Sequence, residues 1–143
     1  MPAFTNSGSH TFGCLVNGEV WIPKGMYSSL SLDKFFPNTI IITAETRKSL
    51  IRLAITDSTG IKANKLYDLA VKSTYGSEFV TSESGSNCFY DAEHIITGHL
   101  IFKRYDDIIS GTFEFTTLNP NCKNPVKIVI TEGRFDMKQF TGQ

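Results

Sequence analysis

A chain of 143 residues has the length of one domain and is long enough to bury most of its apolar surface around a single core. Hydrophobic residues make up 41% and charged residues 20% of it, which excludes a disordered chain, whose composition fails to repay the entropy of ordering. Fourteen Lys plus Arg balance fourteen Asp plus Glu, so no net field gathers polyanions and nucleic acid is not an expected partner.

Residues 1–10 are rich in Ser, Asn, Gly and Thr and read as a flexible leader or tether remnant ahead of one β domain spanning 11–143. The leader lacks the basic and apolar regions of a secretory signal, so either the chain is cytoplasmic or it begins after a removed signal. The longest apolar runs, such as Ile40-Ile41-Ile42 and Leu100-Ile101-Phe102, fall far short of the roughly 20 residues that cross a bilayer as a helix. No transmembrane segment is expected.

Thr11–Val16 and Glu19–Ile22 flank Asn17-Gly18, a dipeptide that tolerates positive φ at both central positions and so predicts a two-residue type I′ hairpin. Pro23-Lys24-Gly25 ends the second strand. Met26–Asn38 shows no clean period and reads as a loop, in which Ser31–Phe36 has room for one helical turn before Pro37 stops it. Thr39–Ala44 and Leu50–Thr56 are β-branched runs joined by Glu45–Ser49, a second hairpin in which Ile51, Leu53 and Ile55 share one face and Arg52 takes the other. After the Asp57–Gly60 turn, helix and strand templates compete over Ile61–Lys72, and a strand over Leu66–Ser73 is the expectation.

Ser82–Asn87 reads as a loop. Cys88–Tyr90, Gly98–Tyr105, Ile108–Leu118 and Val126–Met137 then read as four consecutive strands, separated by Asp106-Asp107 and by Asn119–Pro125. An antiparallel meander is the economical arrangement. Ile109, Gly111, Phe113, Phe115 and Thr117 form its expected core face, and Gly111 and Gly133 predict bulges or a close backbone approach. The count of about nine to ten short strands fits an all-β fold, a single antiparallel β-sandwich or flattened barrel with a C-terminal meander.

Candidate chemistry is sparse. His10, His94 and His99 are the only imidazoles, and they stand at no metal-ligand spacing. Cys14 and Cys88 have no general base nominated by the sequence, and Ser84-Gly85-Ser86 lacks the glycines of a nucleophile elbow. Asp106-Asp107, flanked by Lys103 and Arg104, reads as a solvated turn. Trp21, Tyr27, Tyr67, Tyr75, Tyr90 and Tyr105 offer either a stacking platform for sugars or ordinary core packing, with packing preferred. No catalytic, cofactor-binding or metal-ligating residue is nominated, and no cofactor. Cys88 and Cys122 invite a disulfide, yet a simple meander sets them at opposite ends of the sheet, so bridge and meander are competing expectations.

The segments Thr11–Trp21, Ile108–Phe115 and Val129–Asp136 resemble the opening and closing signatures of an uncharacterised, domain-of-unknown-function family of small exported lipoproteins of Gram-negative bacteria. The resemblance implies an envelope location, periplasmic or anchored at the outer membrane, with a lipid tether in the native precursor. It implies no activity. Cys14 lies inside the predicted first strand and is a poor lipid-attachment candidate. The expected function is therefore a non-enzymatic binding or structural β domain taking a small ligand, a glycan or a protein partner. The alternative is a hydrolase-type enzyme drawing on scattered Asp91, His94, His99, Asp106 and Asp107.

Overall fold

A computed structural model describes residues 2–35, 38–70, 76–82, 88–122 and 125–139. The six-stranded sheet comprises β1 (Thr11–Val16), β2 (Glu19–Trp21), β6 (Leu66–Asp68), β9 (Ile95–Tyr105), β10 (Ile108–Leu118) and β11 (Lys127–Lys138), in the order β2-β1-β11-β10-β9-β6. The five-stranded sheet comprises β3 (Ser29–Phe35), β4 (Thr39–Glu45), β5 (Ser49–Thr56), β7 (Glu78–Thr81) and β8 (Cys88–Tyr90), in the order β3-β4-β5-β7-β8. Every pairing is antiparallel. The two sheets pack face to face as an open β-sandwich over one apolar core.

Local chemistry sets the hairpins. Asn17 and Gly18 take φ values of 49° and 84°, the two positive angles a type I′ turn requires, and Val16 pairs with Glu19 across it. In the β4–β5 hairpin Ile40, Ile42 and Ala44 point inward with Ile51, Leu53 and Ile55, all nearly inaccessible to solvent. Arg52 faces out, as alternation demands.

The six-stranded sheet is tied together by aromatic rings. Trp21 of β2 meets Phe12 of β1, Phe12 meets Phe113 of β10, Phe113 meets Phe135 of β11, Phe135 meets Phe102 of β9, and Phe102 meets Tyr67 of β6. The sequence spacing Gly-x-Phe occurs in both β10 and β11, and the register sets Gly111 opposite Phe135 and Phe113 opposite Gly133. Each ring thus lies over the other strand's glycine. A Cβ on Gly111 would stand 2.3 Å from the Ile101 carbonyl oxygen and 2.8 Å from Phe135 Cζ, and one on Gly133 would stand 2.5 Å from the Phe113 carbonyl oxygen. Bulges accompany both glycines, at Ser110/Gly111 against β9 and opposite Phe113/Phe115 on β11.

Three expectations are corrected. Met26–Asn38 is not simply a loop, because Ser29–Phe35 forms β3, in register with β4 from Ser29↔Glu45 to Phe35↔Thr39. Its apolar positions alternate with serines, a weak signal that only the neighbouring strand completes. The four-strand meander is also wrong, since β9, β10 and β11 are consecutive neighbours but β8 belongs to the other sheet, beside β7. That placement removes the objection to a disulfide, and Cys88 and Cys122 are bridged with Cα atoms 5.9 Å apart, within the usual range. The strand from Leu66 is short, ending at Asp68, and its expected continuation through Val71–Ser73 lies outside the described residues.

The bridge has company. Tyr90 donates its hydroxyl hydrogen to the Pro125 carbonyl at 2.5 Å, and Asn119 Nδ2 donates to the Phe89 carbonyl at 2.8 Å. These contacts fasten β8 of one sheet to the β10–β11 connection of the other. Cys14 is the free thiol among the described residues, and burial pushes its pKa up to about 12, which makes it unreactive.

Two outcomes follow. Gly111→Ala should lower stability by about 2 kcal/mol or more, as overpacking against backbone does, read as a reduced urea midpoint; an unchanged midpoint would contradict the close approach. A thiol titration should find no reactive group in the native protein, one per chain on unfolding, and three after reduction. Reduction itself should cost roughly 3–4 kcal/mol on the chain-entropy estimate.

Candidate functional site

β3 is the one long unbulged edge strand among the described residues; the other edges, β2, β6 and β8, have three residues each. Its inward positions are Leu30, Leu32 and Lys34. Following them, the surroundings change from Phe12, Ile22 and Pro23 near Leu30 to Met137 and Lys138 near Leu32 and Lys34, with the Tyr105 ring centroid 4.9 Å from Lys34 Nζ. β3 therefore crosses the ends of β2, β1, β11 and β9 and forms the lip of an open mouth of the sandwich.

The mouth is a cleft with two lobes, of about 500 and 410 Å³, which share His10 and Leu30. Both volumes lie within the range of small-molecule sites. The floor is apolar: Phe12 and Met137 are fully buried, while Leu30 and Leu32 are half-buried against the core. The rim carries His10, Lys34 and Lys138, and among the described residues no carboxylate lines either lobe. Burial against the apolar wall pulls the Lys34 pKa down from its ordinary value. A charged side chain at an inward position of an edge strand also discourages edge-to-edge aggregation, so Lys34 has a structural use besides any contact with a ligand.

His10 reaches this cleft because of a carboxylate on β11. Asp136 is 1% exposed, and its oxygens accept from the Thr5 hydroxyl at 2.5 Å and from the backbone N–H groups of Ser7, Gly8 and Ser9 at 3.1, 2.8 and 3.0 Å. Burial pushes the Asp136 pKa up, but those four donors together outweigh it and hold the group below the usual carboxylate range. Arg104 and Arg134 secure the same stretch by donating to the carbonyls of Asn6 and Pro2. Residues 5–9, expected to lie outside the domain as a leader, are thus laid against it, because their backbone donors satisfy a buried charge that sequence order places far away.

A second depression, of about 510 Å³, lies on the outer face of the five-stranded sheet. Arg52 and Glu78 form an ion pair across its floor, Ile41 and Thr43 complete that floor, and Asp33, Asp91 and Glu93 stand around it. Gly76 lies close beneath Ala92, which seats the 92–94 turn over this face. The groove is acidic where the cleft is basic.

The scattered Asp and His pool does not converge. His94 Nδ1 sits 2.7 Å from Asp91 Oδ1 in the turn before β9. His99 stands on the outer face of the six-stranded sheet with Nε2 3.9 Å from Glu114. Asp106 and Asp107 flank Arg104 beyond the far end of β9, roughly 30 Å from the 92–94 turn at normal strand rise. Among the described residues, no group of three His, Cys, Asp or Glu side chains has metal-site geometry. Nor do the aromatics make a platform: Trp21, Tyr67, Tyr90 and Tyr105 pack inward, Tyr27 is exposed beside Arg47, and Tyr75 lies outside the described residues. Asp57, its pKa pulled well below the usual range by Lys65, Thr59 and Tyr67, is committed to closing the β5–β6 connection.

Comparison of the chain with protein-family models, with curated proteins and with solved structures finds no match. The site rests on its own geometry.

Asp136→Asn should destabilise the fold by about 2 kcal/mol or more at neutral pH, the scale of losing charge-assisted hydrogen bonds to a buried group. Because the folded pKa is depressed, the contribution is complete above the unfolded Asp value of about 3.9 and disappears as pH falls through the lower folded value. The gap in melting temperature between wild type and variant should therefore be wide at pH 6 and close below about pH 4. A gap that stays constant with pH would contradict the role of the charge.

Proposed function

We propose that this chain is a non-enzymatic, envelope-associated binding domain, tethered in its native form like the exported lipoproteins it resembles, and that the cleft beside β3 receives a small apolar molecule. The observation carrying this reading is the cleft itself, an opening into the sandwich floored by core side chains and lined by two half-buried leucines that no described strand covers. Concave, mainly apolar sites with a few polar groups at the edge are where small ligands bind. The Cys88–Cys122 bridge supports the location, since disulfides persist in oxidising compartments such as the periplasm. Against the hydrolase alternative stands the dispersal of its five candidate residues over three places, because acid–base chemistry needs them within hydrogen-bond reach of one substrate.

Titration with Nile red, a neutral apolar fluorophore, tests the reading. Saturable binding at one site per chain is expected. Leu32→Asn should weaken it roughly fivefold, since losing half the burial of a leucine removes ~1 kcal/mol, while Thr43→Ala in the acidic groove leaves it unchanged. Absence of saturable binding, or equal binding by Leu32→Asn with its fold intact, would refute the proposal.

A further inference from the structure

The two lobes of the cleft differ in a way that specifies a ligand. Along β3 the cleft runs from Ser28 to Lys34, roughly 20 Å at strand rise, so it is elongated. Its cations are at one end. Lys34 and Lys138 line only the lobe toward the end of β11, whereas among the described residues the lobe between Phe12, Ile22 and Pro23 has no Lys or Arg. Among the described residues neither Lys34 nor Lys138 takes part in an ion pair.

Resting on the binding reading above, the geometry points to a long-chain carboxylate as the occupant, its hydrocarbon chain lying along Leu30 and Leu32 and its single anionic head meeting Lys34 and Lys138. An elongated apolar slot charged at one end is complementary to a molecule that is itself elongated, apolar and charged at one end. A carboxylate is the simplest head that matches the site, because the described lining offers two point-charge ammonium groups and no arginine fork or free backbone nest, the geometries that favour phosphate groups. The nest the leader does form, at Ser7–Ser9, is already filled by Asp136. The partial desolvation that lowers the Lys34 pKa acts in the same sense: a partly desolvated cation gains more from an incoming anion than a fully hydrated one does.

Competition against bound Nile red with decanoate, decan-1-ol and decyltrimethylammonium, the ionic ones below their micelle concentrations and the alcohol below its solubility limit, tests the assignment. Decanoate should bind about tenfold tighter than the alcohol, the least gain expected of a hydrogen-bonded charge pair, and the cationic amphiphile should bind weakest. Across octanoate, decanoate and dodecanoate, affinity should rise by up to about fourfold per methylene. The double variant Lys34→Gln, Lys138→Gln should bring decanoate down to the level of the alcohol and leave the alcohol unchanged, which separates loss of the head contact from loss of fold.

Equal affinity for all three heads, or a preference for decanoate that survives the double variant, would overturn the assignment while leaving an apolar site intact. Failure of Nile red and every amphiphile to bind would instead remove the binding reading itself. Co-sedimentation with phosphatidylglycerol vesicles without binding of monomeric decanoate would overturn the assignment in favour of a membrane surface.

Discussion

Two reciprocal pairs in the middle of the molecule, Phe113 over Gly133 and Phe135 over Gly111, constrain everything around them. The rings need the space that a side chain opposite would fill, and the glycines need a ring to cover their exposed backbone. Each strand therefore supplies what the other lacks, and the register of β10 against β11 is fixed by shape as well as by hydrogen bonds. From these two rings the aromatic contacts run outward through Phe12 and Trp21 on one side and Phe102 and Tyr67 on the other. A sheet assembled from pieces of both chain ends, β1 and β11, is held by that line.

The sandwich is closed unequally. Where β8 meets the β10–β11 connection, a covalent bridge and two hydrogen bonds join the sheets. At β3 the two sheets part instead, and the core comes to the surface as the floor of the cleft. The leader contributes to this open side, because the donors that satisfy the Asp136 carboxylate deliver the next residue, His10, to the junction of the two lobes. His10 adopts φ 58°, a backbone state that non-glycine residues seldom occupy and that persists only where the surroundings impose it.

Much of the architecture was legible because its determinants are local. Asn17-Gly18 specified a turn, alternation in Leu50–Thr56 assigned inner and outer faces, and Gly111 and Gly133, each interrupting a good strand, flagged bulges or a close approach. What escaped detection depends on partners distant in sequence. β3 alternates leucine with serine and ends in Asp33-Lys34-Phe35, too polar to read as a strand until β4 pairs with it. The sheet that β8 joins is decided by β7, and the fate of Cys88 follows from that decision alone. Thr5–Ser9 look like solvent-exposed chain unless one knows that Asp136 is buried beneath them. The cleft was the least legible, since its floor and rim come from the leader, β1, the end of β2, β3 and β11, and none of those segments carries a motif for binding. A lysine among the apolar positions of β3 was the available hint.

The adjacent residues Asp33 and Lys34 have opposite charges, and the pleat sends them to opposite surfaces: Asp33 to the rim of the acidic groove, Lys34 into the basic cleft. Since a shift of a single residue exchanges the faces of a strand, the same slip would deliver a negative charge to the cleft and a positive one to the groove. What this dipeptide gives to both hollows is thus a single setting held by the alignment of β3 on β4. A one-residue slip would weaken the positive charge of the cleft, where Lys138 remains, and the acidity of the groove, where Asp91 and Glu93 remain, in the same step.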